Sequence, residues 1–276
     1  MTQKTHSRAD ARELIRLDDA SLVRNGHAVW EHISTSICAG EFIAVLGPNG
    51  SGKTSLLKAL LGLLPLDRGT IQIDGRPPRR GTRRIGYIPQ QKNFDPYVPI
   101  RGRDLVQLGV DGHQYGLTTN PKAAAHVNKI IREVGAAKYA NTPIGLLSGG
   151  EQQRLRIAQA LVSEPDMLLC DEPLLSLDLA SQRSITKLIH DYRTRTNAAV
   201  LFVTHEINPV LPWVDRVLYL ANGRWVIDTP DNVLQAKTLT NLYGTPVEVV
   251  RIKDRVLVVG AEDAAEAGVH HHQEEV

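Results

Sequence analysis

An α/β fold built on a largely parallel sheet is predicted by three features of this 276-residue sequence. Apolar runs of strand length recur at Phe42–Leu46, Ile85–Ile88, 167–170 and 200–203, stretches with helical patterning separate them, and each run ends in a polar or Gly-rich segment. Alternating strands and helices make a parallel sheet covered on both faces. Such open sheets bind ligands beyond the carboxyl ends of their strands, so the chemistry is expected there.

Bulk properties narrow the possibilities. The length suits one large domain plus a small appendage. Lys and Arg total 32 against 30 Asp and Glu, a balance without the basic footprint of a dedicated nucleic-acid binder, so no nucleic-acid partner is expected. Cys38 and Cys170 are the two cysteines and lie far apart, which suggests neither a disulfide framework nor a paired-cysteine metal site and suits a reducing cytoplasm. Residues 1–12 are polar, without the apolar core of a signal peptide, and read as a frayed tail. No run approaches the roughly 20 apolar residues needed to span a bilayer. A membrane would therefore be served from outside it.

Taken in order, strand 42–46 is followed by a helix-compatible run at 55–61. Arg79, Arg80, Arg83 and Arg84 form a basic cluster between Gly75 and the strand at Ile85, read as a solvated turn. Between Gln90 and Leu147 the strand pattern lapses, and 103–108 and 121–134 read as helices of an inserted subdomain at about 91–155. Strands at 216–220 and 224–227 flank Asn222-Gly223, a hairpin turn pair. A second hairpin, 247–250 and 256–259, turns at Lys253-Asp254. The division expected is a main domain over 13–245, a β-hairpin extension over 246–262 and a flexible His- and acid-rich tail over 263–276.

Gly47-Pro48-Asn49-Gly50-Ser51-Gly52-Lys53-Thr54 fits G-x-x-x-x-G-K-[ST], with a strand before it and a helix, starting near Ser55, after it. The glycines let successive backbone N–H groups face phosphates, and the helix N-terminus adds positive potential. Lys53 is placed to neutralise β- and γ-phosphates, and the Thr54 hydroxyl to ligate Mg²⁺. A Gly-rich turn between a strand and a helix could arise without a nucleotide, but eight positions match in the right context.

The run 167–170 ends in Asp171-Glu172. Asp171 is positioned to hold Mg²⁺ directly or through water, and Glu172 to take a proton from the water attacking the γ-phosphate. Standing alone, paired acids at a strand end would read as a solvated corner. His205 follows run 200–203 and reaches the same sheet edge, with room for one helix and one parallel strand between it and Glu172. A lone histidine there is ordinarily a structural hydrogen-bonder; beside Glu172 it can bridge γ-phosphate and water.

Leu147-Ser148-Gly149-Gly150-Glu151-Gln152-Gln153-Arg154 opens an amphipathic helix with Ser148 placed to cap it. Together with the phosphate loop, this segment resembles the signature of ATP-binding-cassette (ABC) proteins, a likeness that covers about residues 13–245. It implies a P-loop NTPase (RecA-like) core with an inserted α-helical subdomain and an antiparallel β subdomain. The same resemblance makes Gln90 the residue that senses γ-phosphate and Mg²⁺ while touching a membrane partner. It makes Ser176-Leu177-Asp178 the segment at a dimer interface and His205 the switch histidine. Family members work as head-to-tail homodimers, with the phosphate loop of one subunit facing Ser148 and Gly150 of the other. Two departures stand out. Where the family stacks an aromatic residue on adenine, alignment of 20–33 places Arg24, whose guanidinium can also stack. Glu151 stands where Gln is commoner, with little consequence expected.

With no membrane helices and a segment at 141–146 similar to that of importer subunits, the resemblance implies an importer ATPase. It would sit peripherally on the cytoplasmic face of the membrane, with permease subunits and, indirectly, an extracytoplasmic substrate-binding protein as partners. Residues 94–100 and 241–246 look like those of zinc and manganese importers; iron-siderophore, haem or cobalamin cargo, or a soluble ATPase, are the alternatives. His270-His271-His272 can ligate a transition metal through imidazole nitrogens, but three adjacent histidines on a tail have poor chelating geometry and read as inert.

Overall fold

Runs that are apolar at every position must bury both faces of the strand they form, and that requirement sets the architecture. The computed structural model describes residues 12–90, 94–111 and 121–260. The tail with His270, His271 and His272 lies outside the described residues.

From the amino end come β1 (Glu13–Arg24), β2 (His27–Cys38), β3 (Phe42–Leu46), α1 (Lys53–Leu60), β4 (Arg68–Ile73) and β5 (Ile85–Ile88). Helices α2 (Gly102–Asp111), α3 (Pro121–Glu133) and α4 (Gly149–Leu161) follow, then β6 (Met167–Asp171), α5 (Leu179–Thr196) and β7 (Ala199–Val203). The chain continues through β8 (Arg216–Ala221), β9 (Arg224–Asp228), α6 (Pro230–Val233) and α7 (Ala236–Tyr243) to the hairpin β10 (Val247–Ile252) and β11 (Arg255–Gly260).

Six strands form the main sheet in the order β5-β6-β7-β3-β8-β9. All neighbours are parallel except β8 and β9, the hairpin expected at Asn222-Gly223. Alternation distributes the side chains: Phe42, Ala44, Leu168, Cys170, Val200 and Phe202 join the apolar cluster with the α3 and α4 side chains. Ile43, Val45, Met167, Leu169, Leu201 and Val203 join a second cluster with α1 and the small sheet. Every residue of β3, β6 and β7 is buried.

That small sheet, ordered β2-β1-β4 and antiparallel throughout, is where the antiparallel β element implied by the resemblance lies. Its two longest strands were not visible as apolar runs. Left-handed residues Asp19 (φ 48°) and His32 (φ 56°) accompany register irregularities between the strands and break the period-two pattern. The readable signal was Asn25-Gly26, both at positive φ, the pair that a tight hairpin turn favours.

The arginine cluster lies in turns as expected, and the structure adds partners: Arg84 Nε donates to Asp166 at 2.8 Å, and its guanidinium also pairs with Asp74, whose carboxyl Arg84 and then Arg12 hold down to about 2. Arg80 Nε donates to the Gly62 carbonyl at 3.1 Å. The segment is tied to the body because its guanidiniums find fixed acceptors on both sides.

At the amino ends of the strands, Arg216 donates to Glu41 Oε2 and to the Ser36 carbonyl, both at 2.7 Å, with side chains only 11% and 13% exposed. This pair joins β2, β3 and β8. Arg216→Met removes the cation beside a nearly buried carboxylate and should lower stability by about 3 kcal/mol, read from urea unfolding.

Candidate functional site

Strand order and register bring four chain segments to one edge. Asp171 pairs with Val203, and Val203 with Val45, so β6, β7 and β3 end in nearly the same layer, and β5 lies beside β6. The loops leaving these strands therefore converge. Asn49, Gly50, Gly52, Lys53, Thr54, Ser55, Gln90, Glu172, Leu175 and His205 line a cavity of about 410 Å³.

The phosphate loop has a shape that only particular residues tolerate. Gly47 has φ 142°, and a Cβ there would lie 2.0 Å from the Leu220 carbonyl oxygen; Gly52 has φ 89°, and its Cβ would meet Val29 Cγ1 at 2.3 Å. At Gly50 a Cβ would meet nothing within 4 Å, so that side of the loop is open. Lys53 opens α1, is 5% exposed, and donates to the Gly47 and Pro48 carbonyls at 2.7 and 2.9 Å. Burial lowers its pKa, while Glu172 and Asp171 act the other way. The cation thus closes the loop on itself beside two carboxylates. Ser51 Oγ is buried and lacks a hydrogen-bond partner among the described residues, which leaves a hydroxyl for an anionic guest.

Across from the loop, Thr54 Oγ1 donates to Asp171 Oδ1 at 3.0 Å. A hydroxyl and a carboxylate held together at the phosphate edge are the hard oxygen donors that Mg²⁺ takes, so these residues fit that ion. Tyr87 was not anticipated from the sequence: its hydroxyl donates to the other oxygen, Asp171 Oδ2, at 3.3 Å. Burial, then the Asp171 charge and hydrogen bond, push the phenol up to about 12, so it remains a donor. The available signal was a polar-tipped aromatic in a strand otherwise made of buried small and aliphatic residues.

Glu172 is gripped on both oxygens. His205 Nε2 lies 2.6 Å from Oε1, and Gln90 Nε2 donates to Oε2 at 3.1 Å. Its backbone is left-handed at φ 49°, a conformation that costs a non-glycine residue about 1 kcal/mol or more and marks a site where position matters. With its side chain 11% exposed against 42% for His205, the carboxylate sits at the cavity floor.

Other expected residues lie elsewhere. Leu147, Ser148, Gly149, Gly150 and Glu151 do not line the cavity; they form the start of α4, where Ser148 and Glu151 make a reciprocal capping box. Glu151 therefore does more than its expected minor part, because its Oε2 accepts from both Ser148 N and Ser148 Oγ. Asp178 caps α5, accepting from Ala180 N and Ser181 N at 2.9 Å each, while Ser176 is exposed at φ 61° and Leu177 is half-buried. Arg24 is not among the residues that line this cavity. It ends β1 with its guanidinium 3.6 Å from Asp67 and on the Val23 carbonyl, while Val29 and Trp30 lie against Gly52.

A phosphate loop facing an acidic strand end and a second carboxylate held by His and Gln defines a nucleotide-binding protein of the P-loop class. Comparison with known proteins gives the family. The family model for ABC transporters matches residues 30–175. The chain is 34% identical over 241 residues to the zinc import ATP-binding protein ZnuC of Pseudomonas syringae pv. syringae (strain B728a), covering 87% of this chain and 85% of that one. It is 32% identical over 251 residues to the manganese transport system ATP-binding protein MntB of Bacillus subtilis (strain 168), covering 90% and 99%. An ABC transporter solved in an inward-facing conformation superposes with a TM-score of 0.75 at 25% identity, over 90% of this chain and 96% of that one. The cassette MJ0796, solved as a post-hydrolysis dimer with ADP and Pi, gives 0.68 at 25%, over 78% and 98%. The chain belongs to the ABC transporter family, as an ATP-hydrolysing subunit.

Since Arg24 stands outside the cavity, Arg24→Ala should leave nucleotide affinity unchanged in a titration with a fluorescent ATP analogue. A marked loss would return Arg24 to the site.

Proposed function

We propose that this chain powers import of a divalent metal ion, zinc or manganese, as a head-to-tail homodimer bound to permease subunits on the cytoplasmic face of the membrane. A substrate-binding protein on the other side would deliver the cargo. The names of the relatives support the cargo, and the observation that carries the motor is Glu172 held between Gln90 and His205 at the cavity floor.

In this reading Gly47 to Ser55 cradle the phosphates of ATP, and Lys53 turns its ammonium from loop carbonyls toward the β- and γ-phosphates. Thr54, Asp171 and Gln90 would hold Mg²⁺, which when bound would supply charge neutralisation on the phosphate oxygens. Glu172 accepts the proton of the attacking water, and His205 steadies that carboxylate and reaches toward the γ-phosphate. The signature does not line its own cavity, which supports a site completed by a second copy: α4 would aim its N-terminus at the partner's γ-phosphate. Exposed Leu175 (39%) and Leu179 (66%) flank the Ser176–Asp178 segment and suit burial in that interface. Among the described residues no helix is long and apolar enough to cross a membrane, so permeation belongs to a partner.

Glu172→Gln should keep ATP binding and form a longer-lived ATP-bound dimer while turnover falls by about a hundredfold or more; undiminished phosphate release would remove Glu172 from its role. Tyr87→Phe deletes one donor to Asp171 and should raise the Mg²⁺ concentration for half-maximal activity by about tenfold. Nucleotide binding measured in EDTA should not change. The cargo is tested by deleting the gene and following cellular uptake of radioactive zinc and manganese: loss of one uptake supports the reading, and retention of both rejects it.

A further inference from the structure

The start of α4 carries its own anion. Glu151, the third residue of the helix, turns its carboxylate back over the N-terminus, where Oε2 accepts the Ser148 backbone N–H at 2.9 Å and the Ser148 hydroxyl at 2.8 Å. These are the groups with which a helix N-terminus binds an external phosphate. A serine hydroxyl has one hydrogen, and here it points at Glu151; the reverse contact, Glu151 N to Ser148 Oγ, is longer at 3.4 Å.

Resting on the head-to-tail dimer proposed above, we propose that the Glu151 carboxylate is a built-in competitor for the γ-phosphate. It occupies the Ser148 donors in the open state and must be displaced before ATP held by a partner subunit closes the interface.

Three observations support displacement rather than coexistence. A carboxylate and a γ-phosphate carry like charge, and both would use the same hydroxyl hydrogen. Ser148 is exposed and Glu151 half-buried, so the side chain can swing out without unpacking the core. The backbone, in contrast, has little freedom. A Cβ on Gly150 would lie 3.0 Å from Ser181 Oγ, on the helix that Asp178 caps. Arg154 further ties α4 to Ser184 of α5 and to the Val134 carbonyl at 2.9 Å. Relief therefore falls to the Glu151 side chain.

A glutamine at 151 isolates the charge, since its amide oxygen can make the same capping box but as a neutral acceptor binds the hydroxyl less strongly. The experiment compares Glu172→Gln with Glu172→Gln/Glu151→Gln by sedimentation velocity over a range of protein concentrations, with saturating Mg-ATP or Mg-ADP. The expected result is that Glu151→Gln lowers the protein concentration for half-dimerisation in ATP by at least about fivefold. Its effect in ADP should be absent, and the thermal midpoint without nucleotide nearly unchanged. Glu172→Gln/Glu151→Ala, which loses cap and charge together, should melt earlier and still dimerise more tightly; a purely structural Glu151 would make it dimerise less. Equal or weaker ATP-driven dimerisation of both double variants overturns this inference alone. Absence of an ATP-dependent dimer in Glu172→Gln itself overturns the dimer reading and this inference with it.

Discussion

Burial of both faces of the parallel sheet is the constraint on which the site depends. The side chains of β3, β6 and β7 are enclosed between two apolar clusters, so the strands can present polar groups only at their ends. The antiparallel sheet and α1 close one face and the remaining helices the other. Because β5, β6, β7 and β3 are neighbours and parallel, Gln90, Asp171, Glu172, His205 and the phosphate loop all emerge on the same edge. Chemistry assembled from distant parts of the chain is thus a product of one packing arrangement.

At that edge charge is concentrated where water is scarce. Lys53 is almost enclosed, Asp171 is 2% exposed, and Glu172 only a little more open in its side chain. Buried charges are tolerated when each has partners, and here each does: Lys53 on two carbonyls, Asp171 on Thr54 and Tyr87, Glu172 on His205 and Gln90. Those partners hold the groups in position with few degrees of freedom. In the proposed function ATP would exchange these internal contacts for its own rather than order a loose site.

The signature illustrates a different economy of contacts. Its helix start is complete in the monomer, with Ser148 and Glu151 satisfying each other, and its glycine is seated against α5. A capped and self-satisfied N-terminus is stable in the open state. In the head-to-tail dimer proposed above, closing on a second copy would have to break an interaction as well as make one, so affinity for the closed state would reflect a difference of two anion contacts.

The sequence by itself determined the parts whose signals are local. Apolar runs marked β3, β5, β6 and β7; Lys53 and Thr54 in their spacing marked the phosphate loop; Asn222-Gly223 and Lys253-Asp254 marked two hairpins; and Ser148 with its following residues marked a capped helix. Each of these rests on backbone preference or burial period within a few residues. The tertiary structure alone decided what depends on distant neighbours. Strand order placed Tyr87 on Asp171, register irregularities around Asp19 and His32 hid β1 and β2 from any period, and the end of β1 set Arg24 beside Asp67. Arg84 reads as one more loop arginine until Asp74 and Asp166 are brought to it from two sides. Spacing along a chain states which side chains are present, whereas the partner that each one finds is set by packing across the sheet.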